Sequence, residues 1–198
     1  MKSINRMRKT LLAVSAAGVV AVGSLGAAAQ LPVPTASAAQ SPAPTASDQK
    51  MALQHLNEFY KPALNGMFPG NASSFVVGKT TRAEVIKRFG APSVSRTSAT
   101  GFDSYTADMG NPGYSMSYDA SGVLKEIRYF GTNVERQTNI GGMTASMLWM
   151  NWFKPTSSNT IKVGNTKQLK LVYKRGAYNL EFIFNTPTEL SHINLVKG

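Results

Sequence analysis

The chain repeats itself. Gly78, Thr81, Val85, Phe89 and Pro92 recur 63 residues later as Gly141, Thr144, Leu148, Trp152 and Pro155. In both sets the apolar positions follow the threonine at steps of four, which places them on one face of a short helix. Thr81 and Glu84 have the spacing of a capping box, and Gly90 followed by Pro92 ends the first helix after two turns. Thr144 caps the second, over 145 to 153, and Pro155 stops it. Helices this short cannot stand alone, so each must lay its apolar stripe on something else.

The sequence after each helix supplies that partner. In the first copy, strand-like segments run from Phe102 to Ala107, Tyr114 to Tyr118 and Val123 to Phe130, the last two joined by the turn Asp119-Ala120-Ser121-Gly122. In the second they run over Thr160 to Val163, Leu169 to Lys174, Tyr178 to Asn185 and Ile193 to Val196, with a turn at Arg175-Gly176. Tyr114, Met116 and Tyr118 alternate against serine, and Tyr178, Leu180, Phe182 and Phe184 share a phase, as hairpin strands do. The expected fold is α+β. An N-terminal helix precedes two tandem helix-plus-three-strand repeats, at about 75–135 and 138–198, which form an antiparallel sheet with helices on one face.

Upstream, Lys2, Arg6, Arg8 and Lys9 precede an uncharged run from Leu11 to Ala29, the order of an export signal. Two small-x-small sites follow, at Ala27-Ala28-Ala29 and Ala36-Ser37-Ala38. Taking the second gives a signal peptide over 1–38 and a Pro/Ala/Ser-rich spacer over 39–47, with the folded domain over 48–198. The alternative is an uncleaved anchor, although Ala, Gly and Ser dilute the run as a membrane span. Ser47 is placed to cap a helix from about 48 to 65, with Leu53, Leu56, Phe59, Tyr60, Ala63 and Leu64 at helical spacing and Gly66 closing it.

With no cysteine in the chain, neither a disulfide nor a lipid-modified signal is available, and the apolar core alone must hold the fold. The net charge of +11 falls to +7 once the four N-terminal cations are removed with the signal. An exported chain of this charge is expected to meet anionic wall polymer, anionic lipid or an acidic protein, and not nucleic acid.

The run Gly78-Lys79-Thr80-Thr81-Arg82-Ala83-Glu84-Val85, its exit Phe89-Gly90-Ala91-Pro92 and the hairpin Gly113-Tyr114-Ser115-Met116-Ser117-Tyr118-Asp119 resemble the secreted YjgB-like domain family of unknown function. The likeness covers roughly residues 50 to 198 and is densest from 75 to 130. More remotely, the pattern is similar to the tandem-repeat fold of β-lactamase inhibitor proteins and to single-repeat outer-membrane assembly lipoproteins. The second copy departs from it at Phe153-Lys154-Pro155, and the disulfides typical of the inhibitor proteins are absent. What the resemblance implies is an extracellular protein-binding scaffold without chemistry.

No catalytic or metal-ligating set emerges from the residues. His55 and His192 lack any metal-ligand spacing and read as surface or edge histidines. Nothing selects a hydrolytic pair from Asp103, Asp108, Asp119, Glu126, Glu135, Glu181 and Glu189, and Asp119 and Glu84 are explained by turn and helix capping. Ser115 and Ser117 lie on a strand rather than a nucleophile elbow, and Ile140-Gly141-Gly142 lacks the Lys and Ser or Thr of a phosphate loop. No cofactor is expected.

The residues suited to binding are Tyr105, Tyr114, Tyr118, Tyr129, Tyr173 and Tyr178, with Lys125, Arg128, Lys174 and Arg175 as a basic rim, joined by Lys170. Tyrosine on an open sheet offers rigid area with a polar tip, although the same residues facing the helices would be core. The expected function is a secreted, non-catalytic binding or inhibitory module engaging an extracellular protein or an anionic cell-wall polymer. The rivals are a charge-held envelope structural protein and, behind it, a hydrolase.

Overall fold

The computed structural model describes residues 45–137 and 139–198. The expected signal peptide and most of the spacer lie outside the described residues. Helix α1 spans Ala46–Glu58, capped by Thr45, whose side chain accepts from the Asp48 amide while Asp48 reaches back to the Thr45 amide. The cap is therefore Thr45 and not Ser47, because Asp48 stands three residues beyond Thr45 and closes the box. Nor does α1 run to 65. Pro62 lacks an amide hydrogen and its ring opposes the Glu58 carbonyl, so the chain breaks and resumes as a 3-10 turn, Pro62–Asn65, ended by Gly66 at φ 73°.

A second 3-10 turn, Gly70–Ala72, leads to α2, Arg82–Phe89, with the Thr81–Glu84 box complete. Three strands follow: β1, Asp103–Tyr105, β2, Tyr114–Tyr118, and β3, Leu124–Tyr129. After β3 come α3, Asn133–Gln137, a short turn α4, Asn139–Gly142, and α5, Ala145–Asn151, capped by Thr144. Four strands close the chain: β4, Ser157–Val163, β5, Thr166–Arg175, β6, Tyr178–Thr186, and β7, Glu189–Lys197.

The seven strands make one antiparallel sheet in the order β1-β2-β3-β7-β6-β5-β4. The halves therefore join through their last strands, with Ile127 opposite Leu195 and Tyr129 opposite Ile193. Each half reads helix, then strands paired in sequence order, as the duplication requires. The second half carries four strands, matching its four strand-like segments and exceeding the three of the expected repeat unit. Its extra strand, β4, pairs with β5 along its whole length, whereas the matching segment of the first half makes only the bridge between Val94 and Ser104.

One face of the sheet is core. Met116, Ile127, Leu171, Leu180, Phe182, Phe184, Ile193 and Leu195 meet Leu56 of α1 and its C-cap Phe59, Val85 of α2 and Leu148 of α5 in a single buried cluster. Phe59 stacks edge-on with Phe68 and Tyr129 at 5.4 and 5.1 Å. Each such side chain withdrawn from water contributes about 1.5–3 kcal/mol. Helix α2 is fixed to the sheet by Arg82, whose guanidinium donates from Nε and Nη2 to buried Asp103 at 2.7 and 3.2 Å. Helix α5 ends at Asn151, two residues short of expectation. Its cap, Trp152, is extended, and the next residue is Phe153 where the first copy has Gly90 at φ 83°, a conformation costly for a side-chain-bearing residue.

Candidate functional site

Most of the tyrosines chosen as surface anchors are core. Tyr114, Tyr118, Tyr129 and Tyr173 are only 2, 2, 4 and 0 % exposed and sit under the helices. Alternation with serine places Tyr114, Met116 and Tyr118 on one side, and apolar helices need that side. Tyr178 is half-buried with its ring against Gly66, where a Cβ would stand 2.4 Å from the ring. Burial raises the pKa of the Tyr173 phenol to about 12 and that of the other three buried phenols beyond it, so all remain protonated.

The basic rim divides in the same way. Arg175 turns inward, its guanidinium 3.5 Å from the Tyr60 ring centroid and its Nε donating to the Tyr60 carbonyl, so it clamps the chain after α1 to β5. Arg128 faces the open side, ion-paired to Glu126 at 2.6 Å and 4.1 Å from the Phe102 ring centroid. Lys170 pairs with Glu181 at 2.6 Å, while Lys125 and Lys174 are exposed. Ser115, Arg128, Asn194, Glu181 and Val172 form one cross-strand row. The open face thus carries two ion pairs, Arg128–Glu126 and Lys170–Glu181, and none of the four buried tyrosines.

Of the candidate tyrosines, Tyr105 and Tyr114 line an open cleft. An open cleft of about 380 Å³ is lined by Arg88 and Phe89 of α2, Tyr105, Thr106, Asp108, Asn111, Pro112, Tyr114 and Asn71. Phe89 lies 5.3 Å from Tyr105 and 5.7 Å from Tyr114, giving an aromatic floor. The Asn71 side-chain amide donates to Asn111 Oδ1 at 2.6 Å across the rim, and Tyr105 Oη donates to the Gly90 carbonyl at 3.4 Å. Asp108 and Asn111 flank a two-residue turn whose centre, Met109 and Gly110, has φ of 45° and 84°, the left-handed pair that a tight hairpin demands. Stacking on the floor and hydrogen bonding to amide, guanidinium and carboxylate at the rim are what such a cleft can do. Gly110 between Asp108 and Asn111 is a local signal for this turn. Asn71, forty positions from Asn111, left no local signal.

His55 is not a simple surface histidine. Its Nε2 lies 2.7 Å from Glu135 Oε1 and 3.2 Å from the Tyr129 hydroxyl, and its Nδ1 lies 3.1 Å from Glu58. Tyr129 Oη and the Thr132 amide both donate to Glu135 Oε2, at 2.9 and 2.5 Å. The Glu135 hydrogen bond raises the His55 pKa against the opposing effect of burial. For Glu135 burial works upward, but bonds from His55, Thr132 and Tyr129 outweigh it and hold the carboxyl at about 2. The cluster joins α1, β3 and α3. His192 lies on β7, stacked on Phe130 at 5.3 Å.

The other carboxylates considered for hydrolysis have structural roles. Asp119 accepts from the Ser121 and Val123 amides, Glu189 accepts from Asn185, and Asp103, Glu126 and Glu181 hold basic residues. Among the described residues no group of three His, Cys, Asp or Glu is placed to hold a metal ion.

Residues 56–196 match the family model described as a domain of unknown function, DUF4309. The chain belongs to the DUF4309 family. This DUF4309 chain is similar to the uncharacterized protein YjgB of Bacillus subtilis (strain 168), with 34 % identity over 190 residues, 96 % of this chain and 98 % of the relative. The crystal structure of YjgB from Bacillus subtilis superposes with a TM-score of 0.67 at 34 % identity, covering 75 % of this chain and 99 % of that one. The YjgB-like resemblance and the α+β fold expected from the sequence thus stand.

Proposed function

We propose that this DUF4309 chain is an exported, non-catalytic binding module that takes an extracellular protein or a cell-envelope component in the cleft at the end of α2. The observation that supports this reading is the cleft itself: an aromatic floor of Phe89, Tyr105 and Tyr114 beneath Asn71, Arg88, Asp108 and Asn111. Aromatic area with a few polar groups at its edge is the composition of a recognition site. Export is inferred from the charged and then uncharged N-terminus. The cleft replaces the open sheet face as the binding surface, since the tyrosines expected to anchor a partner on that face are buried under the helices.

The test uses residues 39–198 as bait against secreted and envelope fractions, beside an Arg88→Ala/Asp108→Ala variant. Both side chains are exposed, so the variant is expected to melt with the parent. A discrete partner that persists at physiological salt and falls at least about tenfold with the variant is the expected result. Capture that ignores the variant would move the site elsewhere, and turnover of a captured polymer would make the protein an enzyme. A second reading, a structural protein held to the envelope by charge, is favoured by the stretch between Glu135 and Glu181, which has several lysines and no acid. Capture lost wholly at modest salt, with no discrete partner, would select it.

A further inference from the structure

The two copies differ most where neither needs to. Helices α2 and α5 occupy matching places, and their inward residues match in kind: Val85 with Leu148, Phe89 with Trp152. On the outward side the first copy has Ile86 and Lys87 where the second has Trp149 and Met150, and beyond the helix end Gly90 gives way to Phe153, whose ring packs edge-on 5.7 Å from core Tyr173 and 5.8 Å from Tyr60. Trp149 is 51 % exposed, Met150 75 % and Phe153 48 %. The first copy packs its helix without an outward aromatic, so the fold does not require Trp149 there. Trp149 and Met150, adjacent on one short helix, leave an apolar patch in water without a core to fill.

The surroundings of that patch are basic. Lys154 follows Phe153, and Trp149 shares a groove with Lys154, Pro155 and Ser158 at the start of β4. Ser158 opposes Leu171, Thr160 opposes Leu169, and Lys162 opposes Lys167. These pairs alternate along one face, and since Leu171 is core, Lys162 and Lys167 stand on the side of the sheet that the helices cover. Both are exposed, about 13 Å along the strand from Ser158 at the usual rise per residue. Two lysines directly opposed across a hairpin repel each other, a cost that a partner of opposite charge removes. From Glu135 to Glu181 the chain carries no acid, so α5, β4 and β5 offer no counter-charge, and Glu58 at the end of α1 is engaged by His55.

We propose that the outward side of α5 and the β4–β5 hairpin form a docking face for an anionic lipid surface. Trp149 and Met150 enter the interfacial region, and Lys154, Lys162 and Lys167 meet the headgroups. An apolar wedge bordered by lysines matches a layer that is anionic outside and apolar beneath. A soluble polyanion would use the lysines but leave the wedge in water. Tryptophan in particular favours the headgroup level. The face lies on the second copy and the cleft on the first, so lipid docking does not depend on what the cleft binds.

The test takes residues 39–198, because the N-terminal uncharged run would itself enter a bilayer. The YjgB crystal chain, 99 % of which aligns with 75 % of this one, folds without such a segment. Co-sedimentation is measured with vesicles of phosphatidylcholine alone and of phosphatidylcholine mixed with phosphatidylglycerol. Binding is expected only to the mixed vesicles, with a blue shift in tryptophan emission. The chain has two tryptophans, and Trp152 is already packed on Tyr60, Tyr173 and Phe182, so the shift reports Trp149. Trp149→Ser with Met150→Ser, and separately Lys162→Ser with Lys167→Ser, are each expected to weaken binding by about tenfold or more. Far-UV circular dichroism and thermal melting show whether these exposed substitutions leave the fold intact. Equal binding to both vesicles, no binding, or capture by soluble polyglutamate as tight as by mixed vesicles and unchanged by Trp149→Ser would each overturn the proposal.

Discussion

Gly66 shows how one residue can be legible in place and hidden in purpose. Its role in closing the first helical region follows from the sequence, and the structure keeps it there at φ 73°. The Tyr178 ring occupying the space of its missing side chain comes from a strand more than a hundred residues away, which no local pattern reports. Gly66→Ala must strain the backbone and push that ring off the core, so a loss of about 1–3 kcal/mol is expected in urea unfolding. An unchanged midpoint would mean that Tyr178 moves aside without cost. The same contact ties the Tyr178 ring to its own chain. Arg175 is similar, since its cation reads as surface until the Tyr60 ring is found beneath it.

Among the elements, legibility followed local chemistry. Strand β2 lies where alternation put it, and α2 begins and ends on its capping residues, because both signals are complete within a few positions. Helix α1 broke because the apolar spacing continued through Pro62 while hydrogen bonding could not. Strand β4 has no fully buried residue and is defined mainly by pairing with β5, so its length was set by its neighbour. The two helix starts make a test. At α2 the Thr81 hydroxyl and the Glu84 carboxylate serve each other's amides, whereas at α5 the Thr144 hydroxyl accepts from the Met147 amide at 3.3 Å and shares a hydrogen bond with the Ser146 hydroxyl, with no carboxylate reaching back. Thr81→Ala is expected to cost about 1–2 kcal/mol and Thr144→Ala clearly less, read as unfolding midpoints. Equal losses would show that Glu84 adds nothing.

For the whole molecule, the His55 cluster couples α1, β3 and α3, so its titration acts on global stability. His55 is raised above 6.5 in the fold; its contribution is complete below that pH and disappears as pH rises through the folded value. Glu135 is lowered from 4.5 to about 2; its contribution is present above 4.5 and fades as pH falls toward 2. Both act together between about pH 4.5 and 6.5, where the melting temperature should gain most from the cluster. His55→Gln should flatten the decline on the alkaline side, and parallel curves for parent and variant between about pH 6 and 8 would remove His55 from that role. The sequence by itself determined the duplication, the α+β class, the capped short helices and the strand alternation, because each rests on spacings within one element. Only the tertiary structure decided which sheet face the tyrosines occupy, since alternation sorts residues into two faces without saying which one the helices cover. It also gathered Asn71, Arg88, Tyr105 and Asn111 into one cleft and set His55 against Glu135. Those contacts join residues far apart in the chain, and long-range packing chooses such partners only once the core has formed.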